Sequence, residues 1–304
     1  MATLNQLPTE LLLEVCSWLP AAAAGSLALT SRQFYLDLHT SSQFQQLKCH
    51  SEQRTELLLH FDSALPSHQL CHACGVFHPR DSRCPNSGLA DHGWIRLGFG
   101  RVYWSTIQMA MRGLKYGDAY GAAAALIRNQ PAIQNQWARD CRAVCVEDRL
   151  LVREKFYNTY SSPWCSPLEE PLMCAHTRGS YMCWSGMFDL FGQVRSNPGA
   201  KATSDSYRCS HCQTELRITV EPFGAAFLWT FHRYLELGNC LRPTETEWMV
   251  LCRSLGDWPH RPMLKKTPVN LRDLSESLSE KFETNYIPTS MDHWIKDAFP
   301  QLRG

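Results

Sequence analysis

The 304-residue chain lacks any apolar run approaching the roughly 18 residues that cross a bilayer. The four alanines at 21 to 24 sit among polar residues, and Asn5 and Glu10 leave the N-terminus without the basic region of an export signal. Neither sign of charge is in excess: 30 basic against 29 acidic residues give a formal net charge of +1. No global field therefore draws nucleic acid or a membrane surface. Catalytic signatures are missing too: there is no H-E-x-x-H, G-x-S-x-G, P-loop or G-x-G-x-x-G, and Gly98-Phe99-Gly100 is too short to cradle a phosphate. Internal repeats and low-complexity runs are also absent. These absences imply an intracellular protein, cytoplasmic or nuclear, with 44% hydrophobic residues to build one large core or two unequal ones. Cysteine is plentiful, at 14 residues. In a reducing compartment such thiols stay free or bind metal.

Apolar helix surface is concentrated at the N-terminus, in residues 4 to 38 (LNQLPTELLLEVCSWLPAAAAGSLALTSRQFYLDL). Pro8 suits a first helical turn, where its missing N–H is an orphan anyway, and Glu10 complements that end of the dipole. Stepping about 100° per residue from Thr9 to Leu19 places Glu10, Glu14 and Ser17 in one narrow polar stripe. Leu11, Leu12, Leu13, Val15, Cys16, Trp18 and Leu19 cover the remaining arc of about 220°. A helix lying on one core needs an apolar stripe of about 100°, so this one asks for two packing surfaces. Pro20 breaks it. Ala21 to Ala28 can form a second helix, and Thr30 or Ser31 can cap a third through Arg32, Phe34, Tyr35 and Leu38.

This ordered series (Leu7-Pro8, Glu10, Leu11 to Leu13, Val15, Leu19, Leu27, Leu29, Arg32, Phe34-Tyr35) resembles an F-box over about the first 45 residues. The resemblance implies docking on the S-phase-kinase-associated adaptor of a cullin–RING ubiquitin ligase, with the rest of the chain recruiting a substrate. Leu7, Pro8, Leu11, Leu12, Val15, Leu19 and Leu27 are the implied adaptor contacts. The bland alternative is a helical hairpin that caps the following domain.

Three regions are expected: an F-box domain over 1–47, a Cys-rich mixed α/β domain over 48–256, and a partly ordered tail over 257–304. The fold expected is mainly α, an N-terminal three-helix F-box followed by an α-rich domain with a small zinc-organised β element. Residues 68 to 100 are rich in Cys, His, Gly and Pro and read as turn-organised. Residues 101 to 116 read as a helix. Basic and aromatic residues interleave at 94 to 116 (Trp94, Arg96, Arg101, Trp104, Arg112, Lys115), which at neutral net charge suits a buried amphipathic helix better than a nucleic-acid surface. After Pro131, Ile133, Trp137, Cys141, Val144, Cys145, Leu151, Val152 and Phe156 recur at three- and four-residue steps, predicting a longer helix. The pattern switches near 205, where Leu216, Ile218 and Val220 alternate with Glu215, Arg217 and Thr219 as in a strand. Phe227 to Leu237 reads as helical or buried, and Pro243 and Thr244 open a short helix through Trp248 and Leu251.

Two C-x-x-C pairs, Cys71-His72-Ala73-Cys74 and Cys209-Ser210-His211-Cys212, only mildly exceed chance at this cysteine content. Their context carries more weight. Gly75 follows the first as in a tight knuckle, and the second lies where one strand-like stretch meets another, as at a hairpin tip. Structural zinc takes four thiolate or imidazole ligands. One assignment has two sites, Cys71, Cys74, His78 and Cys84 in one and Cys174, His176, Cys209 and Cys212 in the other. A second has one Cys₄ site joining the two pairs. A third has no metal, the thiols acting as small hydrophobes. Cys16, Cys141 and Cys145 fall on apolar helical faces, where core burial is their expected role.

The stretches LCHACGVFHPR, CAHTRG and YRCSHCQTELRI, with VEDRLLVR between, resemble in order and spacing a family of fungal F-box proteins with Cys-rich C-terminal regions, across residues 70 to 250. The chain departs from it at Cys174-Ala175-His176, where a Pro often precedes the His. Enzymatic readings fail on the residues. No βαβ pattern surrounds Cys71–Cys74 for a thioredoxin-type pair. A zinc deaminase needs a Glu two residues after its His, where this chain has Arg178 after His176. The expected function is therefore a substrate receptor of a cullin–RING ligase, not itself an enzyme. Its partners would be adaptor, cullin and an unidentified protein client, with no nucleic acid and no membrane. The runner-up is a zinc-stabilised interaction scaffold acting outside a ligase. Trp94, Trp164 and Trp258, flanked by Gly or Pro, read as loop aromatics, and a surface with Trp164 or Trp184 is expected to meet the client.

Overall fold

The computed structural model describes residues 7–80, 82, 84, 94–97, 100–122, 138–160, 182–197, 199–209, 212–244, 246–252 and 277–285. Contacts divide the chain into two units, Met1–Asp91 and His92–Gly304. Among the described residues no helix is long and apolar enough to cross a membrane.

The first unit is built from short helices separated by prolines and serines. Pro8 precedes α1 (Thr9–Ser17) and Pro20 precedes α2 (Ala21–Ala28), each with φ near the value its ring imposes. Ser31 caps α3 (Arg32–Leu38), its Oγ accepting the Phe34 N–H at 3.1 Å. Ser41 caps α4 (Ser42–Cys49) in the same way, accepting from Phe44 N–H at 3.2 Å. Leu12, Cys16, Ala24, Ala28, Phe34 and Leu38 form one small core. Ala21 and Ala22 form a second with Leu47 and with Leu57 of α5 (Ser51–Leu59). The small residues of α2 let α4 and α5 approach closely: a Cβ on Gly25 would stand 2.6 Å from the Leu47 Cδ1. The expected boundary at residue 47 thus falls inside α4, and the unit continues through α5 to a hairpin of β1 (His68–Cys71) and β2 (Val76–Pro79). The stretch after 68 holds more regular structure than its composition suggests.

The second unit corrects the expectation of a mainly α fold. Its centre is a six-stranded antiparallel sheet, and strand makes up 31% of the described residues. A hairpin of β3 (Trp94–Leu97) and β4 (Gly100–Tyr103) leads into α6 (Trp104–Tyr116). The sheet runs β5 (Ala138–Val146), β6 (Arg149–Tyr160), β10 (Ala226–Glu236), β9 (Thr214–Phe223) and β7 (Ala202–Thr203), with β8 (Tyr207–Arg208) also paired to β9. One face carries Cys141, Ala143, Val152 and Leu235 against α6 and Trp248 of α8 (Thr246–Leu251). The same face carries Phe156, Leu216, Ile218, Trp229 and Phe231 against Met187, Leu190 and Val194 of α7 (Met182–Ser196). On the other face, Leu151 and Tyr234 pack against Leu278 and Phe282 of α9 (Leu278–Asn285).

Burial on both faces explains why the helix predicted after Pro131 is instead the β5–β6 hairpin. Residues of both parities, such as Leu150, Leu151 and Val152, are almost wholly buried, at 0%, 3% and 0% exposure. The alternation that marks a half-buried strand is lost, and chance spacings of three and four remain. For Phe227 to Leu237, read as helical or buried, the buried alternative holds: residues 227 to 236 lie on β10 and not on a helix. Cys141 accordingly sits on a strand, although it is buried as expected, and Cys145 lies half-buried on the same strand.

One charged cluster is set inside the apolar face. Glu154 accepts from Arg139 Nη2 at 2.8 Å and from Arg233 Nε at 2.7 Å, with all three side chains buried. A carboxylate in such a place is tolerable only because two guanidinium groups saturate it.

Candidate metal centre and apolar docking face

The hairpin β1–β2 brings the first C-x-x-C pair to its turn. Cys71 ends β1 and pairs with Val76, while the Gly75 N–H donates to the Cys71 carbonyl at 2.8 Å. Gly75 takes φ of +60°, and a Cβ there would stand 2.8 Å from the Ser51 carbonyl oxygen, so the knuckle needs glycine on both counts. His78 follows on β2, and Cys84 lies beyond it. The ligand atoms of Cys71, Cys74, His78 and Cys84 all lie within 4.8 Å of one another. The Cys84 sulfur is 3.6 Å from that of Cys71 and 3.0 Å from that of Cys74. A tetrahedral ion with metal–sulfur bonds of about 2.3 Å spaces its sulfurs by about 3.8 Å, so these two spacings need less than about 1 Å of adjustment. The His78 Nε2 is buried with no hydrogen-bond partner, as a lone pair kept for a cation would be. Holding only protons, the cluster crowds its thiols. Cys74 is pushed up to about 12, first by its hydrogen bond to Cys84, then by burial and by Cys71. A divalent ion would displace those protons, making its affinity rise with pH. These four residues can hold a metal ion, and four protein ligands leave no open position for a substrate.

Arg54 of α5 braces the knuckle. Its Nε donates to the Gly75 carbonyl at 2.7 Å and its Nη2 to the Cys74 carbonyl at 2.9 Å. Its Nη1 reaches the Leu47 and Lys48 carbonyls near the end of α4, at 3.3 and 3.2 Å. One guanidinium thus ties the ligand loop to two helices. Only its charge and reach were visible in the sequence, and neither singled it out.

The second C-x-x-C pair lies at a hairpin tip, as expected. Cys209 and Cys212 are buried between β8 and β9, with the Cys209 N–H donating to the Thr214 carbonyl at 3.0 Å and the Cys212 Sγ 3.1 Å from the Thr214 Oγ1. Cys174 and His176, expected to complete that site, lie outside the described residues. Cys71 and Cys74 find a full donor set within the Met1–Asp91 unit, so that set is complete without the second pair.

The surplus apolar arc of α1 is real surface. Leu11, Val15 and Trp18 are 53%, 42% and 80% exposed, and Leu7 is 37% exposed. Spaced by three or four residues, they form one stripe. Pro8 is exposed beside them. Leu12 is different: at 1% exposure it belongs to the unit's own core, so it is no surface contact. Leu19 and Leu27 are half-buried against that same core. Trp18, the most exposed large apolar residue of the stripe, was legible from its i+3 and i+7 spacing to Val15 and Leu11. Exposed Leu29, Tyr35 and Leu36 add apolar surface after α2 and on α3.

Of the three tryptophans expected on loops, Trp94 is among the described residues and corrects that expectation. Trp94, Trp104, Trp229 and Trp248 are buried core residues, Trp94 lying on a strand. Trp164 and Trp258 lie outside the described residues, and Trp184 falls on α7 with its side chain outside them too. Comparisons with protein-family models, with curated proteins and with solved structures find no match to this chain.

Proposed function

We propose that the chain is a substrate receptor of a cullin–RING ubiquitin ligase, docking on the S-phase-kinase-associated adaptor through its N-terminal helices and presenting a client through the unit beginning at His92. The exposed Leu7–Leu11–Val15–Trp18 stripe carries this reading. A helix whose opposite face is already buried on its own core spends exposed Trp and Leu only where a partner covers them. The F-box resemblance, which includes Leu7, Leu11 and Val15 of that stripe, names that partner. The receptor performs no chemistry; it holds a client close to the charged ubiquitin carrier, raising effective concentration. The ion at Cys71, Cys74, His78 and Cys84 is zinc, the metal suited to three thiolates and an imidazole in a closed tetrahedron. Its role is to order a hairpin too poor in apolar side chains to order itself.

Titration of purified chain with adaptor tests the docking. Leu11→Ala with Val15→Ala and Trp18→Ala should weaken binding at least about tenfold while leaving the melting temperature unchanged, because none of the three is core. Equal binding by the folded triple variant refutes the interface. Copurification of adaptor without cullin would favour a scaffold outside the ligase. Metal analysis should find zinc, and less than about half an equivalent in protein prepared without chelator refutes the structural ion.

A further inference from the structure

We propose that Cys74 and Cys84 form a peroxide-reactive modification site, whose oxidation to a disulfide expels the ion and unlatches the hairpin from the α4–α5 junction. This rests on the metal reading above and adds a regulation to it. The two sulfurs stand 3.0 Å apart, the shorter of the two sulfur spacings given above. All four ligands are half-buried, so a small oxidant reaches them, unlike the buried thiols of Cys16, Cys141, Cys209, Cys212 and Cys240. Burial pushes the Cys141 thiol up to about 12, which keeps it an unreactive thiol at neutral pH. Metal-bound sulfur is held as thiolate, the reactive form. Cys84 lies beyond β2, so it can close on Cys74 without breaking the Cys71–Val76 pairing that ends the hairpin.

The chemistry balances with hydrogen peroxide as the oxidant. One thiolate attacks a peroxide oxygen, the O–O bond breaks, and a sulfenic acid forms while the departing hydroxide takes up a proton as water. The second thiolate attacks that sulfenic sulfur, the S–S bond forms, the S–O bond breaks, and the departing hydroxide takes up a proton from solvent as a second water. Two thiolates have lost two electrons and peroxide has gained them. Cys71 and His78 alone cannot retain the ion, because half of a closed tetrahedron is gone.

The consequence travels through Arg54. Its bonds to the carbonyls of Cys74 and Gly75 hold the ligand loop, while its bonds to Leu47 and Lys48 hold the end of α4. Leu47 and Leu57 in turn support α2 through Ala21, Ala22 and the close approach at Gly25. Oxidation of the centre thereby loosens the helices on which the docking face is built.

The test uses the full chain loaded with zinc and treated with increasing hydrogen peroxide. A metal-sensitive dye should report release of one zinc as two thiols disappear. Tryptic cleavage after Arg80 and Arg83 followed by fragmentation should locate the bond at Cys74–Cys84, and reduction with added zinc should restore the starting state. The melting temperature of the first unit should fall by about 4 °C or more, and amide exchange over residues 42 to 59 should quicken. Arg54→Met should release zinc at the same peroxide concentration with a smaller fall in melting temperature. Zinc that stays bound while thiols elsewhere oxidise, or a disulfide at another pair, overturns the proposal. Unchanged exchange over 42 to 59 in oxidised wild-type protein overturns the coupling whether or not the Arg54 variant folds. Protein that never held zinc overturns the metal reading and this proposal together, whereas zinc held through oxidation overturns this proposal alone.

Discussion

The two units solve the same packing problem in opposite ways. The Met1–Asp91 unit is small, splits its apolar residues between two minor cores, and leaves Leu11, Val15 and Trp18 in solvent. The His92–Gly304 unit folds a long sheet between helices on both faces and buries even charged side chains such as Glu154, at 0% exposure. A short chain buries too little surface to offset its ordering entropy easily, and it is in the first unit that four residues able to hold a metal ion cluster and an apolar stripe stays exposed. A larger unit has interior to spare and can enclose a polar cluster, provided each charge is answered. Exposed apolar surface and tolerance of buried charge are two results of the same surface-to-volume scaling.

The contrast breaks most sharply at Glu154. Glu154→Ala leaves Arg139 and Arg233 buried without their carboxylate, and should cost about 3–5 kcal/mol in the second unit while the first keeps its melting behaviour. Calorimetry that shows both units destabilised together would mean the chain folds as one cooperative body. The reciprocal experiment is chelation. Removing the ion should lower the transition of the first unit by several degrees and leave the second unit's unmoved, read by two-transition calorimetry with and without chelator.

Acid sharpens the comparison from within the second unit, through two carboxylates. Burial works against the charge of Glu215, but hydrogen bonds from Ser279, Ser277 and Ser206 outweigh it and hold its carboxyl below the usual 4.5. Glu283 is lowered as well: burial opposes its charge, but a two-oxygen contact with Arg153 outweighs it, both bonds at 2.9 Å. Because both folded values lie below the unfolded one, their contribution is complete above pH 4.5 and is lost as pH falls through the lowered values. Between neutrality and pH 5 the docking of α9 on the sheet should stay constant. Below that range proteolysis should reach residues 278–285 before the sheet opens, and simultaneous loss would refute a separate release. The smallest effect concerns the β5–β6 turn, where Glu147 and Asp148 take φ of 50° and 60° in the left-handed region. Glu147→Asn with Asp148→Gly supplies residues suited to that turn and should raise stability by about 0.5–1 kcal/mol in denaturant titration. Loss of the half-exposed Lys115–Asp148 pair offsets part of the gain.

The sequence by itself determined the elements whose signals are local. Pro8, Pro20, Ser31 and Ser41 mark the starts of α1 to α4. The C-H-A-C-G string shapes the knuckle at the β1–β2 turn, and Leu216, Ile218 and Val220 mark a strand. The over-wide apolar arc of α1 already announced a second surface. Tertiary structure alone decided which of its leucines faces which side, sending Leu12 inward and Leu11 outward, because that depends on where α2 and α3 sit. It also decided that residues 138 to 160 form a hairpin. Residues on both faces of β6 are buried, which blurs its polar alternation, and the ten-residue pairing of β6 with β10 joins segments far apart in the chain. Arg54 became a brace only when folding brought Cys74 and Gly75 beneath it, a contact spanning about twenty residues that no local pattern encodes.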